Sequence, residues 1–343
     1  MIEIENIRVR DVACCVPGKK IYNLDVPGFD SIRKQKISDT IGVRKRHISL
    51  PNQFTSDFCF EAASQLIKSS DIDLSQIGVL VLATQTPDYI LPATSCILQD
   101  RLGLADDTIV FDINLGCSAY VYGLYIVSTL LNTTNKKFGL LLTGDTISKY
   151  ASPVDASTSF LFGDAGSATL LEKSPNCEAM LFSLGTDGSG WNNLIIPAGG
   201  TRTPHDDVTA KMQTDKEGNS RSDEHLFMDG MEIFNFTISK VVPHVEALLK
   251  LDDKIAAVIF HQANKYMLEF MRKSLKIAKD KFLYSLENFG NTSSASIPLT
   301  ICENPMNVKM ANKLLLSGFG VGYSWGSVIL SLANTTIHKL LYV

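Results

Sequence analysis

Short, mostly apolar runs recur along the chain, and their pattern predicts buried strands. The runs lie at 79–84, 109–113, 139–143, 168–172, 256–260, 313–316 and 327–331. Longer segments of mixed polarity between them predict helices at 58–69, 118–132, 233–250 and 265–277. Because predicted strands and helices alternate, we expect an α/β protein with parallel or mixed sheets covered by helices.

The spacing of two glycines suggests that this pattern occurs twice. Gly144 follows Cys117 by 27 positions, and Gly318 follows Asn291 by the same 27 positions. Each glycine ends an apolar run and is followed by a Gly-Ser pair that opens another, at 166–167 and at 326–327. We therefore predict two duplicated halves, 1–175 and 176–343, in which Cys117 and Asn291 occupy equivalent corners.

The halves differ in two inserted segments. From the first glycine to the Gly-Ser pair is 22 positions in the first half (144 to 166) and 8 in the second (318 to 326). The difference predicts a 14-residue insertion within 146–160. The polar segment 200–224 predicts a surface loop or a mobile excursion between the halves.

Cys117 is the first candidate for chemistry. It follows a predicted strand and Gly116, and it precedes a predicted helix. A thiol at a helix N-terminus is expected to favour the thiolate, which is the nucleophilic form. His261 and Asn291 also follow predicted strands or turns, so the three together predict a cysteine acyl-transfer site. Taken singly, the cysteine could be a packing residue and the asparagine a helix cap.

Composition narrows the class of protein without changing this prediction. The 343 residues carry a net charge of −4, with 45% hydrophobic and 20% charged residues, which predicts a globular chain with a large core. We expect no nucleic-acid or membrane partner, because there is no basic excess and no apolar stretch of about 18 residues. The acidic N-terminus does not resemble a signal peptide, and seven cysteines without a CxxC pair predict reduced thiols and no metal site. A cytoplasmic location is expected.

With these motifs in place, the chain resembles β-ketoacyl-acyl carrier protein synthase III of the thiolase superfamily over nearly its full length. The most specific strings are His-Gln-Ala-Asn at 261–264 and Gly-Asn-Thr-Ser-Ser-Ala-Ser-Ile-Pro at 290–298. Further matching segments lie at 41–47, 83–84, 91–92, 114–119, 162–168, 185–190, 197–200 and 318–326. The resemblance implies a thiolase-like five-layered αβαβα fold and a decarboxylating Claisen condensation. In that reaction an acyl thioester and a malonyl-type extender combine through an acyl-cysteine, in fatty acid or related lipid or secondary-metabolite biosynthesis.

The resemblance also implies residue roles. Cys117 would be the nucleophile, and His261 and Asn291 would stabilise the enolate that forms when the extender loses carbon dioxide. The backbone N–H groups of Cys117 and Val321 would form the oxyanion hole. Two further residues, Asn264 and Phe319, would contact substrate. No cofactor is implied, since pantetheine thioesters of CoA or acyl carrier protein are the substrates.

Several positions depart from the family pattern. Lys36, Thr40 and Ala156 stand where members that use acetyl-CoA have an aromatic residue and two arginines around the adenine, so ordinary adenine binding is in doubt. Arg44 matches a family arginine and could meet a phosphate or have a structural role. Leu91 replaces a phenylalanine that closes the acyl pocket across a dimer interface, which predicts a homodimer with room for a longer or branched acyl chain.

The expected macromolecular partner is an acyl carrier protein, with acyl-CoA as the other possible donor. The residues predicted to dock the acidic carrier form a basic segment: Lys265, Arg272, Lys273 and Lys276. Two alternatives stay open. One is a cysteine acyltransferase that passes its acyl group to an amine or alcohol without decarboxylation, and the other is a catalytically silent homologue that binds acyl carriers.

Overall fold

A computed structural model describes all 343 residues and contains two large sheets. The first sheet is mixed, and its strands in spatial order are Thr336–Ile337, Ile7–Val16, Ala165–Lys173, Phe138–Asp145, Ile77–Ala83 and Ile109–Ile113. Leu341–Tyr342 also pairs with Ile7–Val16. The second sheet has the order Ile2–Ile4, Met180–Thr186, Ser324–Ser331, Lys313–Gly320 and Ala257–Phe260.

The strand register shows the duplication directly. Phe138–Asp145 runs antiparallel to Ala165–Lys173, with Gly144 opposite Gly166. In the second sheet Lys313–Gly320 runs antiparallel to Ser324–Ser331, with Gly318 opposite Gly326. The glycines that marked the repeat in the sequence thus occupy equivalent ladder positions.

Two long strands escaped the sequence prediction. Ile7–Val16 alternates apolar residues with Arg8 and Arg10, so it lacks an uninterrupted apolar run. Both arginines form ion pairs with Glu172 on the neighbouring strand, at 2.6 and 3.7 Å. The other strand is Met180–Thr186, which lies at the corresponding place in the second sheet. An ion pair between neighbouring strands lets charged residues lie within a strand. A search for apolar runs alone does not find such a strand.

The terminal strands cross between the halves. Ile2–Ile4 joins the second sheet beside Met180–Thr186, whereas Thr336–Ile337 and Leu341–Tyr342 join the first beside Ile7–Val16. Each sheet is therefore built mainly from one half and edged by a terminus of the other. The boundary predicted at residue 175 stays a prediction, and it can apply only to the central strands of each half, because the terminal strands cross it.

The helices form three layers around the sheets, giving the thiolase-like αβαβα arrangement. Ala119–Thr133 and Ser296–Glu303 contribute to the largest core cluster together with strands of both sheets. Thr55–Ser69 and Thr94–Arg101 cover the outer face of the first sheet. The outer face of the second sheet is covered by helices that include Gly230–Phe236, Val242–Leu249 and Lys265–Ser274. The remaining α-helices are Ser31–Ile41, Leu286–Phe289 and Pro305–Met310. Three two-stranded ladders pair Lys20–Tyr22 with Lys45–His47, Leu194–Ile195 with Phe227–Met228, and Gln213–Thr214 with Ser220–Arg221.

The two inserted segments pack against each other. The hairpin at 213–221 is fastened to the insertion at 146–160: Ser152 Oγ donates to the Ser220 carbonyl (2.6 Å), and Arg221 pairs with the buried Asp155 at 2.9 Å. Of the two alternatives for 200–224, these contacts favour a surface loop that is bonded to the first half over a mobile excursion. No helix is long and apolar enough to cross a membrane.

Candidate active site

Cys117 lies at the junction between the strand Ile109–Ile113 and the helix Ala119–Thr133, with only 7% of its surface exposed. Two glycines of the second half approach it closely. A Cβ at Gly320 would lie 2.8 Å from Cys117 Sγ, and one at Gly318 would lie 2.6 Å from the Cys117 carbonyl oxygen. Any side chain at either position would displace the thiol, so these glycines set its place.

Burial dominates the protonation of this thiol. It raises the pKa of Cys117 to about 12, and the nearby Asp145 carboxylate acts in the same direction. Hydrogen bonds from the backbone of Val321 and Cys117 and from Ser293 act to lower it but do not offset the burial. The expectation that the thiolate would be favoured here is therefore wrong, because removal from water disfavours the charged form of the thiol.

His261 follows the strand Ala257–Phe260, and its backbone N–H donates to the Ser317 carbonyl at 2.8 Å. Its ring is buried, with Nδ1 2.7 Å from Ser296 Oγ and the Phe319 ring edge-on at 5.9 Å between centroids. Burial lowers the pKa of His261 to about 3, against a weaker opposing hydrogen bond to the Ser293 backbone. The imidazole is consequently neutral at physiological pH.

Asn291 is held by backbone hydrogen bonds to the first half of the chain. Its N–H donates to the Leu161 carbonyl (2.9 Å), and its carbonyl accepts from Gly163 N (3.0 Å). Its Oδ1 accepts a hydrogen bond from Ser293 N at 2.9 Å. With the oxygen occupied, the side-chain NH₂ is the end of Asn291 that remains to donate to a ligand.

Ser293 is the shared neighbour that brings the three predicted residues together. Its N–H donates to Asn291 Oδ1 at 2.9 Å, its side chain acts to lower the pKa of the Cys117 thiol, and its backbone acts to raise the pKa of the His261 ring. Its φ of 48° is the left-handed conformation that non-glycine residues rarely adopt. The sequence prediction did not single out this residue.

Asp145 also escaped the sequence prediction. Its buried carboxylate accepts hydrogen bonds from Gln85 N (2.7 Å), Ser294 N (3.1 Å) and Ser294 Oγ (2.7 Å). Burial raises the pKa of this carboxyl, and the hydrogen bonds from Ser294 and Gln85 act to lower it. Because it ends a strand of the first sheet and binds the segment after Asn291, Asp145 fastens one half of the site to the other.

A cavity of about 390 Å³ opens beside the thiol, and its wall is mainly apolar. The lining residues are Gln85, Asn114, Cys117, Ile147, Phe162, Trp191, Leu194, Ile195, Ile196, Leu226, Ser293 and Val321. A concave apolar pocket with a few polar groups at one side is typical of a site for a small organic group.

The residues predicted to contact substrate are less uniformly placed. Val321 lines the cavity, as expected for an oxyanion donor. Phe319 is buried against His261 instead of lining the cavity, and Asn264 caps the helix Lys265–Ser274 by accepting from Met267 N at 2.8 Å. Neither Phe319 nor Asn264 lines the cavity, so their predicted contacts with substrate stay a prediction.

Arg44 and Leu91 lie on the surface. Arg44 pairs with Glu287 at 2.9 Å, and the arginine side chain is 80% exposed. Leu91 is also 80% exposed and does not line the cavity of its own chain, so its predicted contact with an acyl group would require a second copy.

The three adenine-site positions are also separate from the cavity. Lys36 and Thr40 are exposed on the helix Ser31–Ile41, and the Ala156 backbone donates to Asn219 Oδ1 at 3.1 Å.

The predicted carrier-docking cations divide into two kinds. Lys265, Lys273 and Lys276 are exposed. Arg272 is instead tied internally, since it pairs with Glu269 at 2.8 Å and donates to the Ile277 carbonyl at 2.9 Å. Of the four cations predicted to dock the carrier, the structure leaves three without an internal ion pair. No cluster of three or more histidine, cysteine or acidic residues could hold a metal ion.

Comparison with known proteins identifies the family and agrees with the fold. The family model for 3-oxoacyl-[acyl-carrier-protein] synthase III matches residues 111–188, and the model for its C-terminal part matches 246–332. A Campylobacter jejuni protein named putative 3-oxoacyl-[acyl-carrier-protein] synthase 3 is 35% identical over 98% of this chain and 97% of its own. A Clostridium perfringens β-ketoacyl-[acyl-carrier-protein] synthase III is 31% identical over 96% of this chain and 100% of its own.

A solved structure gives the same result. The crystal structure of a 3-oxoacyl-(acyl-carrier protein) synthase from Burkholderia xenovorans LB400 superposes with a TM-score of 0.92 and 37% identity, covering 100% of this chain and 98% of that one. Fold and site together define a thiolase-like α/β protein. The chain belongs to the 3-oxoacyl-[acyl-carrier-protein] synthase III family.

Proposed function

We propose that this protein catalyses a β-ketoacyl-acyl carrier protein synthase III-type condensation in fatty acid or related biosynthesis. An acyl group moves from a thioester donor to Cys117, and a malonyl-type extender then loses carbon dioxide and attacks the acyl-cysteine. The observation that carries the proposal is the convergence of Cys117, His261 and Asn291 on Ser293 beside an apolar cavity. The relatives, which are named as synthases of this type, support it.

The acylation step follows from the protonated state of the resting thiol. Because the pKa of Cys117 is raised to about 12, the thiol must lose its proton as it attacks. The Cys117 sulfur forms a bond to the acyl carbon, the bond to the pantetheine sulfur breaks, and the proton from Cys117 passes to the departing pantetheine thiolate. The Val321 N–H, which is hydrogen-bonded to the resting thiol, is the donor proposed to stabilise the tetrahedral oxyanion together with the Cys117 N–H.

The decarboxylation step uses neutral donors. His261 is uncharged, and where Ser296 donates its hydroxyl to Nδ1, the ring proton lies on Nε2; in this proposal the extender's thioester carbonyl replaces the Ser293 backbone as the acceptor of that proton. The free NH₂ of Asn291 is the second donor. Two neutral donors held at the site stabilise the developing enolate, and the loss of one such donor typically costs about 10²–10³ in rate.

The acyl donor in this proposal is a carrier-protein thioester. Lys36, Thr40 and Ala156 provide no aromatic or arginine clamp for adenine. An acidic carrier would instead contact the exposed Lys265 and Lys273 on the helix Lys265–Ser274.

The proposal includes a homodimer. Ile109–Ile113 is an edge strand that pairs only with Ile77–Ala83, and Ile109 is 44% exposed. Nearby in sequence, Tyr89, Ile90 and Leu91 are 62%, 88% and 80% exposed. An apolar edge strand and an apolar exposed loop both favour pairing with another copy. Sedimentation should give twice the chain mass, and Ile109→Lys should shift it towards the monomer, whereas a wild-type monomer would contradict the dimer.

Intact-mass spectrometry tests the proposed first half-reaction. Incubation with acyl thioesters should add one acyl mass per chain, and peptide mapping should place it on Cys117. Cys117→Ala should remove the adduct, with the exposed Cys96 as an internal control for nonspecific thiol labelling. An adduct on Cys96 that persists in Cys117→Ala would show that the assignment of the nucleophile is wrong.

A further inference from the structure

The cavity beside Cys117 has a polar corner that the proposed chemistry does not require. Nine of its twelve lining residues are hydrophobic, and the exceptions are Gln85, Asn114 and Ser293. Ser293 is accounted for by its bonds to the reacting residues. The amide side chains of Gln85 and Asn114 have no such role.

Gln85 is positioned with its amide against the backbone just before the nucleophile. It follows the strand Ile77–Ala83, and its backbone N–H is fixed by Asp145 Oδ1 at 2.7 Å. A Cβ at Gly116 would overlap Gln85 Oε1 and lie 2.8 Å from Gln85 Cδ, so glycine at 116 is what leaves room for the amide. A group bound by Gln85 would therefore lie near the thioester carbon on Cys117.

Neither amide makes a side-chain hydrogen bond within the protein, since Gln85 bonds only through its backbone. A primary amide offers both donors and an acceptor and carries no charge. No charged side chain lines the cavity, which disfavours a carboxylate or an ammonium group there. A hydroxyl group both donates and accepts, so it matches this corner.

We propose that the acyl group carried by Cys117 bears a hydroxyl at C2 or C3, which Gln85 binds with help from Asn114. This inference rests on the proposed function and adds the chemical class of the acyl donor. The cavity of about 390 Å³ lies within the range of roughly 300–1,000 Å³ found for ligand pockets. The apolar wall, including Phe162 and Leu226, contacts the hydrocarbon part.

The expected preference for hydroxyacyl donors follows from the cost of binding an acyl chain that has no hydroxyl. A plain hydrocarbon chain would remove water from both amides without replacing its hydrogen bonds, and buried polar groups left unpaired discriminate strongly against such analogues. Because Asn114 is also exposed on its outer side, we expect a moderate preference. Hydroxyacyl donors should acylate Cys117 about 10–100-fold faster than the matched unsubstituted donor.

The test compares butyryl-, 2-hydroxybutyryl- and 3-hydroxybutyryl-pantetheine, so that the donor head is the same. The rate of Cys117 acylation is followed by intact mass in the wild type, in Gln85→Leu and in a control, Leu194→Met, on the apolar wall. Wild type and control should prefer a hydroxyacyl donor. Gln85→Leu should lose the preference while still accepting butyryl, which also shows that it is folded.

The outcomes separate this inference from the proposed function. If the wild type accepts butyryl as fast as both hydroxyacyl donors, or if Gln85→Leu keeps the preference, the hydroxyl site is refuted and the condensing function stands. If no thioester acylates Cys117, the proposed function fails and the inference falls with it.

Discussion

Replacing Gly320 by alanine tests whether the glycines of the second half set the position of the nucleophile. The added Cβ would lie 2.7 Å from Cys117 Cβ and 2.8 Å from Sγ, closer than real carbon atoms approach. Cys117 is 7% exposed and is also confined by Gly318, so it cannot move away freely. Overpacking of this kind typically costs about 1–3 kcal/mol of stability. A displacement near 1 Å can cost about 10²-fold in rate.

The assay follows thermal unfolding and Cys117 acylation in parallel. Gly320→Ala should unfold a few degrees lower and acylate about 10²-fold more slowly. The control is Gly200→Ala, where an added Cβ would have nothing within 4 Å and should change neither. Acylation of Gly320→Ala at the wild-type rate would refute the close approach on which this reasoning depends.

Three further expectations concern protonation, the contact between halves and the donor. Because burial raises the pKa of Cys117 to about 12, its thiolate fraction keeps rising through the alkaline range. The rate of Cys117 alkylation should therefore increase about tenfold per pH unit from pH 7 to 10. A plateau of that rate near pH 8.5 would contradict the effect of burial. Asp145→Ala should lower the free energy of unfolding by about 2–4 kcal/mol in denaturant titrations, because donors of Gln85 and Ser294 lose a buried acceptor; an unchanged midpoint would show that this contact does not join the halves. The same acyl group should acylate Cys117 faster from a carrier protein than from CoA, and salt should slow only the carrier reaction; equal, salt-independent rates would return the protein to ordinary CoA priming.

The sequence predicted the strands and helices that are marked by a pattern of neighbouring residues. Apolar runs located strands such as Ile109–Ile113, and equal spacings from Cys117 and Asn291 revealed the duplication. The strand Ile7–Val16 was missed because its arginines depend on Glu172, which is distant in the sequence. Local patterning does not show which charge will be paired across a ladder.

The site was predictable only in part for the same reason. Motifs marked Cys117, His261 and Asn291, but the high pKa of the thiol arises from burial by both halves, which no local pattern contains. Ser293 and Asp145 act through contacts between halves. The Arg272–Glu269 pair is different, because it lies within one helical turn and could have been predicted from the sequence.

The most direct test of the account separates the two half-reactions in His261→Ala and Asn291→Ala. Acylation of Cys117 is measured by intact mass, and carbon dioxide release from a labelled malonyl extender is measured on the same preparations. Both variants should form the acyl-cysteine while releasing carbon dioxide about 10²–10³-fold more slowly than the wild type. Wild-type carbon dioxide release in both variants would contradict the assignment of His261 and Asn291 to the enolate.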